Sequence, residues 1–482
     1  MTISDYPFDA ATMLDEIKRI VAFGIRRPGS QANRRTEQHL LEQLRELGLY
    51  DCHTEPVPVH YWNPATTRLT IGSDGQVIPC FAVPYTAWTD ENGITAESVY
   101  VGSSFAGDGA NIDVTGKIVV ADIQFGELNG SHLKSGSHFI YDPNDTIPDG
   151  PLHSANWLIQ NLMVYFQAWD RGAAGFIGLL NEMPIDGCEL YVPYDGYLKK
   201  LPAAWIGREH AETIRQAATN RSSFHFTSTG ETTDADSHNI IGYLPGQTAE
   251  SILITCHHDA PFASAVEDAS GLSVLLALAA AFSEREEPLK RSLIFLASSG
   301  HFHGGIGCRE FVKNHANKTM PTIVAAIGVE HISEEVESDE QGGYRKTGLP
   351  ETRALFMDQG AELIKIFEEE VTNVALDRTL AVDASLFGSE PPCDSAPFFT
   401  AGIPSVCHIS GPLYLFDPHD TVDKVRQEDL AKVAQLFYRC IECIDSVSAD
   451  DLTAGMTRKR NDPPAPPPPW FLPPTAYLKN CQ

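Results

Sequence analysis

The sequence has few basic residues for its length. Its 482 residues include 35 lysines and arginines against 64 aspartates and glutamates, which gives a formal net charge of −29. A surface of this sign repels phosphate backbones and anionic lipid head groups. We therefore expect a protein that binds neither nucleic acid nor anionic membranes. The excess of acid is more typical of a solvated surface than of a binding feature.

Long apolar runs and a leader segment are also missing. No apolar run approaches the length of a membrane span, and residues 1–9 lack the basic and apolar regions of a signal peptide. The ten cysteines are scattered, and several lie inside apolar segments, such as Cys256 and Cys407. That placement is typical of reduced core thiols and not of a disulfide framework. We expect a cytoplasmic protein.

The most informative motif that is present joins a histidine to carboxylates. An apolar run ends in His257 and Asp259, and the acidic pair Glu267-Asp268 follows ten residues after His257. Imidazole and carboxylate together suit zinc, and a carboxylate two residues beyond a ligand histidine can orient its ring. We interpret His257 as a metal ligand, Asp259 as its orienting partner and Glu267 as an oxygen ligand. A surface histidine at a strand end is the alternative for this motif alone.

These residues and their order resemble the zinc-dependent exopeptidase family that contains the bacterial double-zinc aminopeptidases, glutamate carboxypeptidase and the glutaminyl cyclases. The segment Phe23 to Ser30 and the amphipathic stretch 33–47 resemble the opening loop and helix of that family. Residues 239–246 and the apolar strand 251–256 resemble its return to the catalytic sheet. The resemblance covers most of the chain.

Apolar runs downstream of the motif alternate between strand and helix character. Segments 251–256, 291–297, 323–329 and 403–407 are predicted as strands, and 272–282 as a buried helix that begins near the acidic pair. This alternation predicts an α/β fold, in which helices cover both faces of a mostly parallel sheet. Ligands are expected at the carboxyl ends of its strands, where the candidate residues lie.

The resemblance also implies an insertion. Three segments between residues 83 and 237 resemble, in order, the β-rich protease-associated domain that many of these enzymes carry as a lid. They are residues 113–121, 168–178 and 201–207. We therefore predict an exopeptidase-like domain formed by residues 1–82 and 238–455, with the insertion at 83–237.

Residues 456–482 form a proline-rich tail. Its run from Arg458 to Pro474 is predicted to be polyproline-like. Trp470, Phe471 and Leu472 give it an apolar hook. Two alternatives stay open: docking across its own catalytic domain or a neighbouring subunit of a homo-oligomer, and a solvent-exposed tail.

The family resemblance assigns metal ligands residue by residue. His257, Glu267 and Glu330 correspond to the ligands of the first metal, with each glutamate in place of an aspartate. Two ligands of the second metal fall at Phe302 and Phe416. Phenylalanine at both positions is expected where a metal has been lost, since an unpaired buried carboxylate or imidazole would be costly. The resemblance therefore implies at most one metal.

His301 falls where the family has its catalytic glutamate. A histidine there can act as a general base or become a ligand. Zinc is expected, but two histidines with one carboxylate also suit iron, manganese or cobalt. Further candidates, as ligands or as their partners, are Asp259, Asp268, His303, His331, Asp394 and His419.

Three functions follow from this pattern. The first is a single-metal hydrolase that cuts an amide or peptide-like bond in a small substrate. The second is a metal-dependent non-hydrolytic enzyme, a lyase, isomerase or oxidative enzyme of a specialised pathway. The third is a non-catalytic protein that binds a peptide or small molecule. The retained residues His257, Glu267 and Glu330 favour the first.

Overall fold

The computed structural model describes residues 5–72, 75–106, 111–460 and 462, except for the side chains of residues 153–155. The strands are β1 Tyr50–Ile71, β2 Gln76–Ile78, β3 Phe81–Ala82, β4 Ile94–Tyr100, β5 Ile118–Asp122, β6 Phe125–Asn129, β7 Ser137–Tyr141, β8 Pro151–Ile159, β9 Gly175–Leu180, β10 Ala203–Gly207, β11 Ser223–Leu244, β12 Ser251–His257, β13 Ser292–Ser298, β14 Ile323–Val329, β15 Glu334–Ser338, β16 Tyr344–Pro350, β17 Arg353–Met357, β18 Thr379–Asp383 and β19 Ser405–Ser410. The α-helices are α1 Ala10–Val21, α2 Gln31–Glu46, α3 Gly130–Ser135, α4 Met163–Asp170, α5 Arg208–Thr219, α6 Gly271–Ser283, α7 Ile306–Asn314, α8 Ala361–Asn373, α9 Ala396–Thr400, α10 Gln427–Ser446 and α11 Ala449–Thr453.

The strands and helices predicted around the motif are confirmed. β12, β13, β14 and β19 lie within two or three residues of their predicted bounds, and the predicted helices correspond to α2 and α6. Every residue of β12 and β14 is buried, as expected for central parallel strands, which read as apolar runs without alternation. The acidic pair does not lie in regular helix. It lies in a π-type turn, Val266–Ser270, just ahead of α6.

Fifteen strands form one sheet across the described residues. Its main path runs β3-β10-β9-β5-β4-β11-β13-β12-β14-β19-β17-β18-β7. The strands β13, β12, β14 and β19 are parallel to one another, so their carboxyl ends share one edge. Helices α1, α6 and α10 pack together, and α7 contacts α9. The predicted α/β class, with a central sheet flanked by helices, is confirmed.

The chain between β1 and β11 builds the other half of the sheet. β1 and β11 pair antiparallel over almost their whole length, and β4, β5, β9 and β10 then form a parallel group beyond them. Helix α5 contacts β4, β5, β9 and β10. The protease-associated identity of this region and its boundaries at 83 and 237 stay predictions. The proline-rich tail lies outside the described residues, apart from its first residues up to 460 and residue 462.

One apolar run is longer than the sequence analysis expected. The helical segment Val266–Ser283 is long and apolar enough to cross a membrane by length and composition, so the expectation that no run approaches that length was wrong. In this fold 83% of that segment is buried, because α6 packs between the sheet and α1 and α10. The segment is therefore the core helix that the sequence predicted at 272–282.

The described cysteines are all free thiols, nine in number, and six of them are buried. This fits the predicted absence of a disulfide framework among them. Cys440 and Cys443, three residues apart, both lie on α10, and Cys440 packs in the core.

Candidate metal centre

The candidate ligands lie where parallel strands end. His257 is the last residue of β12, and Glu330 follows the last residue of β14. His301 begins a short 3-10 turn after β13. The side chains of His257, Glu267 and Glu330 are fully buried, so the fold removes these polar groups from water altogether.

Glu267 lies at the centre of this group. One carboxylate oxygen, Oε1, is 3.0 Å from His257 Nε2 and 4.0 Å from His301 Nε2. The other, Oε2, is 2.6 Å from His331 Nε2. Three imidazole rings therefore face a single carboxylate. His331, which was only a further candidate in the sequence analysis, lies as close to Glu267 as His257 does.

Five buried atoms at this centre lack a hydrogen bond of acceptable geometry to the described residues. They are His257 Nε2, Glu267 Oε1, Glu267 Oε2, Glu330 Oε2 and His331 Nε2. Four of them face one another in the His257–Glu267 and His331–Glu267 contacts, and Glu330 Oε2 has no hydrogen-bond partner among the described residues. A buried polar group left unpaired costs about 1–3 kcal/mol. A divalent cation would satisfy them, since nitrogen and carboxylate donors are the ligands that zinc and related ions take. The residues present therefore fit a metal.

The donor atoms form overlapping sets. His257, Asp268, Glu330 and His331 bring one donor atom each within 4.8 Å of one another. His257, Glu267 and His301 form a second such set, and His301, Glu330 and Asp394 a third. Glu267 and Glu330 fall in different sets. His257 belongs to the set that contains Glu330 and also to the set that contains Glu267. The structure thus gathers the three predicted ligands around His257 but brings Glu267 closest to the two histidines His257 and His331.

The orientation of His257 is fixed differently from the expectation. Its Nδ1 lies 3.0 Å from the backbone carbonyl of Asp259, so this nitrogen carries the proton and Nε2 faces Glu267. The Asp259 carboxylate lies farther away, with Oδ1 3.9 Å from Nδ1. It accepts hydrogen bonds from the backbone N–H groups of His301 and Phe302 instead. Asp259 therefore orients His257 through its backbone and holds the His301 turn through its side chain.

Asp394 positions His301. Its Oδ1 lies 3.0 Å from His301 Nδ1, and its Oδ2 accepts a hydrogen bond from Ser298 Oγ at 3.0 Å. Its backbone N–H donates to Glu330 Oε1 at 2.8 Å. Although burial acts to raise it, the nearby His257 and His301 keep the pKa of Asp394 below its usual value. An ionised carboxylate at this point leaves His301 Nε2 turned toward the centre.

His301 is held between two rings. It stacks on His257 with ring centroids 4.0 Å apart and on Tyr194 with centroids 5.6 Å apart. Burial and the neighbouring His257 lower the pKa of His301, yet the Asp394 hydrogen bond and charge raise it above the usual value for histidine. Tyr194 comes from the chain between β1 and β11, and sequence reasoning did not identify it because no motif marks it.

The acidic cluster perturbs its own pKa values. Burial raises the pKa of Asp268 to about 7, and burial followed by the charge of Asp394 raises that of Glu330. The pKa of His331 rises to about 10 despite burial, because Glu267 lies against it. These pKa shifts indicate a negative electrostatic potential at the centre, and such a potential stabilises a bound cation.

Two residues that sequence reasoning left out complete the support. Asp420 accepts the backbone N–H groups of Ala265, Val266 and Glu267 and so fixes the turn that presents Glu267. Arg26 is fully buried and donates to the backbone carbonyl oxygens of Ser264 and Glu267. Only the fold brings Arg26, more than 200 residues away, to this turn.

Two further candidates lie away from the centre. His303 packs against Tyr85 and His60, and burial lowers its pKa to about 3. His419 is half-exposed and bonds to Asp417. Neither belongs to the donor sets around Glu267.

The two phenylalanines expected at ligand positions of a second metal do meet. Phe302 and Phe416 are buried and pack edge to face, with ring centroids 5.4 Å apart. Tyr194 contacts both rings. The space beside His257 and His301 on this side is therefore apolar.

An α/β sheet that gathers histidines and carboxylates at the carboxyl ends of its strands defines the class of a metal-dependent hydrolase-like protein. Residues 239–441 match the model of Peptidase family M28. This match bears out, over residues 239–441, the expected resemblance to the zinc-dependent exopeptidases. A comparison with the curated proteins gave no match.

Solved structures share the fold over nearly the whole chain. A zinc aminopeptidase from Bacillus subtilis is similar at 17% identity with a TM-score of 0.67, covering 94% of this chain and 100% of that one. The aminopeptidase from Aneurinibacillus sp. strain AM-1 is similar at 20% identity with a TM-score of 0.63, covering 90% and 93%. A peptidase M28 precursor from Shewanella amazonensis is similar at 17% identity with a TM-score of 0.63, covering 94% of this chain and 95% of that one.

The centre predicts which substitutions release a metal. We expect His257→Ala and Glu267→Ala to abolish retention of a divalent ion through purification, because each removes a donor from the middle of the cluster. His331→Ala should weaken binding by at least the roughly 10–100-fold that follows loss of an outer partner. Elemental analysis and competition with a chelating dye measure both effects.

The matched control is Glu91→Ala, at an exposed position, which should leave metal content unchanged. Equal metal content in Glu267→Ala and the parent protein would show that the ion is held elsewhere.

Proposed function

We propose that this protein is a metal-dependent hydrolase that uses one divalent ion, zinc first among the candidates, to cleave an amide or peptide-like bond in a small substrate. The observation that carries the proposal is Glu267 between His257 and His331, with His301 beside them and oriented by Asp394. The Peptidase family M28 match over residues 239–441 supports peptide-bond chemistry.

The apolar packing beside the centre supports the single ion. Phe302 and Phe416 close the side on which the family resemblance implies a second set of ligands. Neither side chain offers a metal donor. The donors that remain belong to the overlapping sets around His257 and His301.

In this mechanism the chain positions water and moves a proton. When bound, the ion supplies Lewis acidity to the carbonyl of the scissile bond. His301 Nε2 faces the centre and accepts a proton from the attacking water, while Asp394 stabilises the imidazolium that forms. The imidazolium then gives this proton to the leaving amine nitrogen as the C–N bond breaks. Tyr194, Phe302 and Phe416 exclude bulk water from this side, which strengthens the electrostatic interactions within.

A second candidate function rests on the same geometry. His257, His331 and Glu267 form a two-histidine, one-carboxylate arrangement, which also suits Fe(II), Mn(II) or Co(II) and non-hydrolytic chemistry. The metal that co-purifies, and whether turnover requires a reduced, oxygen-sensitive ion, distinguishes the two.

The role of His301 can be separated from metal binding. We expect His301→Gln to retain the metal and to lower kcat for a hydrolysed dipeptide by about 10²–10⁴-fold, the usual contribution of a general base. Metal content and kcat would be measured on the same preparation. Loss of the ion in His301→Gln would make His301 a ligand and contradict its assignment as the base.

The pH dependence of turnover should follow Asp394. His301 must be neutral to accept a proton, so the acidic limb of the kcat profile follows its pKa, which Asp394 raises. In Asp394→Asn this limb should move to lower pH, since a neutral amide no longer stabilises the imidazolium. Profiles at saturating metal test this, with Asp90→Asn at an exposed position as control. If the acidic limb of the kcat profile stays at the same pH in Asp394→Asn, His301 is not the group that controls it.

A further inference from the structure

A segment of the inserted region reaches across to the opposite end of the sheet. We call residues 125–159, which contain β6, α3, β7 and β8, the arm. The arm follows β5, yet its strand β7 pairs antiparallel with β18 as the last strand of the main path. Eight strands lie between β5 and β7 in that order. The arm therefore spans the whole catalytic half of the sheet.

The arm is anchored at several points. Its residues Phe139, Ile140 and Tyr141 pair with β18. Asn156 Nδ2, which is buried, donates to the carbonyl oxygen of Leu413 at 2.6 Å, and the backbone N–H of Asp383 donates to the carbonyl oxygen of Gly136 at 2.9 Å. These bonds hold the arm in one position against the catalytic half.

A cavity of about 120 Å³ lies between the arm and the metal centre. His301, Glu330, His331 and Asp394 line one end of it. The arm lines the opposite wall with Leu128, Leu133, Leu152 and Trp157, and the catalytic half contributes Phe356, Leu380, Phe387, Leu415 and Phe416. The cavity thus joins a metal-binding end to a broad apolar and aromatic end.

Two charged groups in the wall pair with each other. Arg309 Nη2 lies 2.5 Å from Glu390 Oε1, and the Glu390 side chain is buried. The pair offsets both charges at this point of the wall.

One polar donor at the apolar end is unused. The indole Nε1 of Trp157 is buried and has no hydrogen-bond partner among the described residues. A Cβ atom added to Gly411, which also lines the cavity, would lie 3.7 Å from that nitrogen. An acceptor atom on a ligand would recover the cost of the unpaired N–H.

From these observations we infer that the arm determines specificity, and that the substrate carries an aromatic group with a hydrogen-bond acceptor next to its scissile amide. This rests on the proposed function. The aromatic group lies between the arm and the catalytic half, and its acceptor meets Trp157 Nε1. A tyrosyl residue has both features, because its ring fills an apolar site and its hydroxyl oxygen accepts a hydrogen bond.

The test uses the metal-loaded full chain and the dipeptides Tyr-Gly, Gly-Tyr, Phe-Gly, Gly-Phe, Ala-Gly and Gly-Ala. We expect kcat/KM for the better tyrosyl dipeptide to exceed that of its alanyl counterpart by at least about tenfold, as apolar pockets discriminate by roughly 10–200-fold. Equal values for tyrosyl and alanyl dipeptides would overturn the inference.

Two variants locate the preference. Gly411→Val should lower the tyrosine-to-alanine ratio by about tenfold, because the added methyl groups enter the cavity while no backbone strain opposes them. Gly150→Val, in the arm but in open space, is the matched control and should keep the ratio. Trp157→Phe should lower the tyrosine-to-phenylalanine ratio. A ratio unchanged in Gly411→Val and Trp157→Phe would contradict the arm's role.

A failure of the proposed function gives a different result. If no dipeptide is cleaved, calorimetric binding of L-tyrosinamide and L-alaninamide decides the inference without turnover. Tighter binding of L-tyrosinamide, weakened in Gly411→Val and not in Gly150→Val, would support the arm as a binding element. Equal binding of both amides would overturn it.

Discussion

The rest of this site depends on a group of carboxylates buried close together. Asp259, Glu267, Asp268, Glu330 and Asp394 are all nearly or fully inaccessible to solvent. Like charges in an apolar interior repel strongly, so such a group persists only where hydrogen bonds and cations offset them. Backbone N–H groups satisfy Asp259 and part of Asp268. The Glu267 carboxylate faces the imidazole rings of His257, His301 and His331, which is why it defines where a metal would lie.

Several features follow from that constraint. The turn that presents Glu267 requires a fixed backbone, and Asp420 holds it through three N–H groups. Phe302 and Phe416 pack against each other beside His301, so the proposed single ion would lie on the face of His257 and His331. The cavity opens from this face toward the arm. The Asp420-supported turn positions Glu267, the two phenylalanines exclude water, and the arm is proposed to select the substrate. These separate segments meet at one edge of the sheet.

The sequence was sufficient for the α/β class and the central strands, because uninterrupted apolar runs are local properties. It was insufficient for the importance of His331, since the residue after Glu330 has the left-handed conformation that turns its ring toward Glu267, and nothing in the sequence predicts that conformation. His303 lies only two positions after His301, yet its ring packs against Tyr85 and His60 and not against the metal centre. The arm was not foreseen at all, because pairing of β7 with β18 joins segments more than 230 residues apart.

The measurement that tests the account most directly is a crystal structure of the metal-loaded protein with anomalous data at the metal edge. The account predicts one ion, bonded to His257 Nε2, His331 Nε2 and Glu267, with zinc–nitrogen distances of about 2.0–2.1 Å if the ion is zinc. Two ions, the second beside Phe302 and Phe416, would contradict the single-metal centre. An ion bonded to neither histidine would contradict the central place of Glu267.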